Sequence, residues 1–91
     1  MIKFVTNLDK FKGSLSGIEQ QFNYTKIIPH IGEYIMIMIN TDPLYVPLEI
    51  CNIRYYYTGT DFIVEIELTI PRSKFSSPDG SLPDHYSNMY F

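Results

Sequence analysis

The sequence predicts an all-β domain: a small, partly open barrel of five short strands with at most one short helix, followed by an extended C-terminal tail. Three observations predict it. The 91 residues include thirteen isoleucines, eight tyrosines and six phenylalanines but no alanine and no tryptophan, and Ile, Tyr and Phe suit a pleated surface while alanine is the best helix former. Apolar and polar residues alternate on both sides of the glycine turn Thr58-Gly59-Thr60-Asp61, as in a half-buried hairpin. Prolines and glycines divide the apolar chain into short segments, the punctuation of small β folds. The length suffices for one modest core. Residues 1–70 are assigned to the barrel and 71–91 to the tail.

Residues 2–6, "IKFVT", form the first expected strand, with Ile2 and Phe4 on one face. The glycine-punctuated stretch that follows contains Ser16-Gly17-Ile18-Glu19, which has the spacing of a capping box; it predicts one or two helical turns over 17–22 or a plain loop. From Phe22 the period becomes two, with Phe22, Tyr24 and Ile28 on one side of an extended segment. After Pro29 and Gly32, "EYIMIMI" is apolar on both faces, the pattern of a strand covered on both sides. "NTDP", residues 40–43, has turn composition. The strand "LYVPLEICNIRYYY" carries Pro47, whose missing N–H marks an edge, a bulge or a strand start.

With Gly59 at the first central position of a tight turn, counting outward pairs Tyr57 with Phe62, Tyr55 with Val64, Ile53 with Ile66 and Cys51 with Leu68. That face is apolar and forms the wall of the core, so Tyr55 and Tyr57 are expected to be buried, and Cys51 to be an inert buried thiol. The other face pairs Tyr56 with Ile63, Arg54 with Glu65 and Asn52 with Glu67, opposite charges standing across the strands. A slip of one residue would drive both glutamates into the core. Leu48 and Ile50 fall on the outer parity, so a bulge near Cys51-Asn52 or at Pro47 is expected to turn them inward. Pro71 ends the last strand.

The tail, "PRSKFSSPDGSLPDHYSNMYF", is rich in serine and proline, yet it closes on Tyr86, Met89, Tyr90 and Phe91. Such side chains gain by burial. They are expected to pack on an edge strand or on the outer face near Tyr56 and Ile63, within one chain or exchanged between protomers. Tyr56, Ile63, Tyr86, Met89, Tyr90 and Phe91 are therefore the candidate binding residues.

Seven Lys and Arg against ten Asp and Glu give a net charge of −3, and the lysines form no basic patch, which argues against nucleic-acid binding. One cysteine excludes an internal disulfide framework. "MIKFVTNLDK" lacks the form of a signal peptide, and "YIMIMI" is far shorter than the ~18 residues of a membrane span; no membrane association and a cytoplasmic location are expected. His30, His85 and Cys51 have no metal-ligand spacing. Glu65 and Glu67, opposite Arg54 and Asn52, read as a solvated cross-strand ladder and not as a carboxylate pair for catalysis. No phosphate loop or nucleophile elbow is present. No catalytic residue, metal or cofactor is expected.

"PHIGEYIMI" followed by "YVPLEICNIRYYYTGTDFIVEIEL" resembles small SH3-like barrels of bacteria and phages, in which a Pro-x-x-Gly-Asp/Glu turn opens one strand and a later strand pairs with the next across a tight turn. The resemblance covers residues 29–70 and implies a fold without a function. The composition also fits an AT-rich bacterial or phage genome. The expected function is a non-enzymatic protein-binding or assembly module of a phage or mobile element, acting on a protein partner or on itself. The alternatives are a small acidic inhibitor of a basic site, and nucleic-acid or small-ligand binding in the barrel groove, with Tyr56 stacking on a base.

Overall fold

A computed structural model describes residues 1–38, 45–71 and 90. The chain is mostly β. In order it forms β1 (Ile2–Thr6), a 3-10 helix (Asp9–Ser14), α1 (Leu15–Thr25), β2 (Tyr34–Met38), β3 (Tyr45–Tyr57) and β4 (Phe62–Thr69). The strands make one sheet in the order β1-β4-β3-β2, curled into a half-barrel. Among the described residues there are four strands where five were expected. β2, β3 and β4 form an antiparallel meander, and β1 lies parallel to β4, with Ile2 opposite Val64 and Thr6 opposite Leu68.

The missing strand is the segment beginning at Phe22. Two periods compete there, the alternation Phe22-Tyr24 and the helical set Leu15, Ile18, Phe22. The helical set prevails because its residues pack on the core, where the Phe22 ring meets Phe4 edge-on at 5.1 Å, while Tyr24 faces solvent. The helix runs to Thr25 and stops at Lys26, which is left-handed (φ 58°) and donates its N–H to the Phe22 carbonyl. The expected capping box does not form. α1 continues straight from the 3-10 helix, with Ser14 at the N-cap making no side-chain bond. Glu19 instead accepts the Phe4 N–H at 2.8 Å.

This second use of α1 protects an edge. The Asn23 side chain accepts the Ile2 N–H at 2.7 Å and donates to the Ile2 carbonyl at 2.9 Å. Glu19 and Asn23, one turn apart, thus satisfy β1 backbone groups on the side away from β4.

The hairpin register is as the sequence predicts from Asn52–Glu67 to Tyr57–Phe62, and Gly59 is left-handed (φ +95°). The irregularity lies between Ile50 and Asn52, the first of the two places expected, and it turns Val46, Leu48 and Ile50 into the core. It also removes Cys51 from the core: Ile50, not Cys51, stands opposite Leu68. The thiol is half-buried and lies 3.3 Å from a Glu67 carboxylate oxygen.

Pro47 fits β3 for a reason legible in the register. Ile50 N–H donates to the Glu33 carbonyl on the β2 side, so by alternation Pro47 and Glu49 present their backbone groups toward β4. β4 ends at Thr69, opposite Glu49. The absent N–H of Pro47 therefore costs no ladder bond, and its orphaned carbonyl accepts the Tyr90 hydroxyl at 2.8 Å. The Tyr90 ring is buried with its centroid 5.9 Å from that of Phe11. Tyr90 thus lies in the core and not near Tyr56 and Ile63.

The expected burial of the tyrosine wall fails although the register holds. Tyr55 is 61% exposed and Tyr56 47%, the reverse of the expected order. Tyr55 and Tyr57 do lie on the core face, but α1 sits along β1 and nothing described roofs the hairpin tip. Tyr55→Ala is accordingly expected to cost less than about 1 kcal/mol, whereas Ile66→Ala, fully buried on the same face, costs about 2–5 kcal/mol. Urea unfolding of the two variants checks this, and a large loss for Tyr55→Ala would mean that the tip is covered.

Candidate interaction surface

Three surfaces emerge around the sheet. The first is the hairpin tip. Tyr55, Tyr57 and Phe62 share the face that further along carries Val64, Ile66 and Leu68, and all three are exposed. The Tyr57 and Phe62 rings stand across the strands with centroids 5.0 Å apart, tilted by 37°. The Tyr57 hydroxyl donates to the Gly59 carbonyl at 3.1 Å. The turn below them is tied by Thr58 N–H to the Asp61 carbonyl and by Asp61 N–H to the Thr58 hydroxyl. Ring pairing and a bonded turn hold the aromatic side chains in place before any contact is made.

The second surface is the outer face of β3 and β4. Arg54 bridges both glutamates: its Nε donates to Glu65 at 2.9 Å and its Nη2 to Glu67 at 2.9 Å. Hydrogen bonds from Arg54 first and from the Cys51 thiol second hold the Glu67 carboxyl below the usual carboxylate range. The ladder expected from the sequence is therefore present, and the guanidinium is engaged with carboxylates. Tyr56, one of the sequence candidates, lies at its margin, its hydroxyl 3.5 Å from Glu65, and Ile63 stands opposite it, half-buried.

The third surface contains none of the sequence candidates. Among the described strands β2 is an edge, and its outer face is exposed: Tyr34, Met36 and Met38, with Tyr45 opposite Met38, are all exposed. The two-sided apolar pattern read as a covered strand belongs to a strand covered on one side only. A continuous run of apolar residues reports that both faces avoid polarity, and it does not report what stands against each face.

Of the sequence candidates, Tyr56 and Ile63 are adjacent on the outer face, and Tyr90 is in the core. Tyr86, Met89 and Phe91 lie outside the described residues. Among the described residues no group of three His, Cys, Asp or Glu side chains is placed to hold a metal ion, and no helix is long and apolar enough to cross a membrane. A shallow cavity of about 310 Å³ opens between Phe22, Ile28, His30 and the β2–β3 face at Ile35 and Ile50; His30 and Glu33 at its rim are paired with each other. Compared with protein families, curated proteins and solved structures, the chain matches none of them.

Proposed function

We propose that this chain is a non-enzymatic protein-binding or assembly module whose contact surface is the aromatic tip of the β3–β4 hairpin. The observation that carries the reading is the exposure of Tyr55, Tyr57 and Phe62 on a face whose other positions form the core. The cross-strand pair steadies the hairpin, and aromatic side chains held by neighbours in this way make contacts at low cost in conformational entropy. The partner is a protein with an apolar cleft and a basic rim. The cleft takes the rings, and the rim faces Asp61 in the turn and the chain's net charge of −3.

Photo-crosslinking in extract of the source cells tests this, with a benzophenone amino acid at position 57 and, as a control, at position 12 beside α1. A discrete protein adduct is expected from position 57 alone, and it is expected to vanish when Phe62→Ser and Tyr55→Ser are added to a chain that still melts cooperatively. Equal adducts from both positions, or an adduct that survives those substitutions, would overturn the assignment.

A further inference from the structure

The two edges of the sheet are treated differently. On β1, Asn23 and Glu19 occupy the backbone groups of Ile2 and Phe4. On β2, the alternation that sends the carbonyl of Glu33 to Ile50 turns the backbone of Met36 and Met38 outward. No described strand lies beyond them. The strand "YIMIM" also lacks the features that guard an edge: it has no lysine, no proline and no bulge. Its Met36 side chain is 53% exposed on the outer face.

The geometry points to a second copy of this chain as the occupant, paired antiparallel through β2 about a two-fold axis at Met36. This surface is separate from the hairpin tip, so the inference stands or falls independently of the function proposed above. Three features select a copy over another strand. First, the outward-bonding residues fall at every second position, so Met36 would exchange both backbone bonds with the partner copy's same residue. Second, the charges agree. Each chain carries a net −3, yet no charged side chain stands within the strand, and the outer-face glutamates 65 and 67 are held by Arg54, away from this edge. Two acidic molecules thus meet along residues 34–38, none of which is charged. Third, the assembly closes. Because the opposite edge is covered by α1, pairing through β2 gives one eight-stranded sheet with both ends capped, a closed dimer and not a growing fibre.

Sedimentation across a range of concentrations tests the inference on the full chain. The wild type is expected to shift from monomer to dimer as concentration rises. Met36→Lys alone is expected to remain monomeric at concentrations where the wild type is dimeric, and mixing it with Met36→Glu is expected to restore a dimer. A second measurement does not depend on introducing charge. Met36→Cys in a Cys51→Ser background is expected to form an intermolecular disulfide, since hydrogen-bonded antiparallel partners stand about 5.5 Å apart at Cα, whereas Lys3→Cys in the same background is not. A wild type that stays monomeric throughout, a dimer that survives Met36→Lys, or a disulfide that forms equally from position 3 would overturn the proposal. Tyr57→Ser with Phe62→Ser is expected to leave the dimer intact, and its loss in that variant would place the contact at the tip instead.

Discussion

Tyr90→Ala is expected to lower stability by about 3–5 kcal/mol, the range for removing a large buried aromatic side chain. For a domain of this size that corresponds to a fall in melting temperature of roughly 15 °C or more. The ring is buried against Phe11, and its hydroxyl satisfies the Pro47 carbonyl where the ladder to β4 has ended. Tyr90→Phe keeps the ring and strands the carbonyl, a loss of about 1–3 kcal/mol. The same burial pushes the phenol up from its usual value of 10 to about 12. Because the folded value lies above the unfolded one, the neutral phenol's contribution is fully present below pH 10 and is lost as pH rises from 10 toward 12. The stability difference between wild type and Tyr90→Phe should therefore shrink across that window when both are melted at a series of alkaline pH values. A difference that stays constant would mean the hydroxyl is open to water.

The second large effect is expected at Asn23. Its amide makes three bonds, one from the Ile2 N–H and two to the carbonyls of Ile2 and Glu19. Asn23→Ala removes all of them, leaves partly buried backbone groups without partners, and costs on the order of 2–3 kcal/mol. Asn23→Asp is expected to be at least as damaging at neutral pH, because a carboxylate oxygen then faces two carbonyls. Both variants uncover the β1 edge, so a rise in light scattering on heating should accompany the lower melting temperature. Unchanged melting of Asn23→Ala would show that the edge holds without the helix.

Local chemistry made parts of the fold legible in advance. The hairpin register follows from the glycine turn and from the positions of Glu65 and Glu67, because a slip of one residue would bury two charges. The bulge followed from Leu48 and Ile50 standing on the wrong parity, although its placement took Cys51 out of the core and onto Glu67. The first strand and the proline stops were equally local. The helix is longer than the one or two turns expected over 17–22. Its capping-box spacing at Ser16 and Glu19 looked like a helix start, when Glu19 was committed to the neighbouring strand and the turn had already been made upstream.

Residues on either side of one turn thus fix the pairing of β3 with β4 from Asn52 to Glu67 and the apolar face of that hairpin, whereas the pairing of β1 with β4 joins residues from opposite ends of the described chain. Only the tertiary structure decided which apolar faces are covered. Tyr55, Tyr57 and Phe62 carry the pattern of a core wall, and Met36 and Met38 that of a doubly covered strand, yet all five stand in solvent. The physical reason is that burial depends on where a second layer ends. α1 lies along β1 and stops at Thr25, and Tyr90 returns from far along the chain to fill the opposite end of the core, two placements set by long-range packing that no periodicity in the chain encodes.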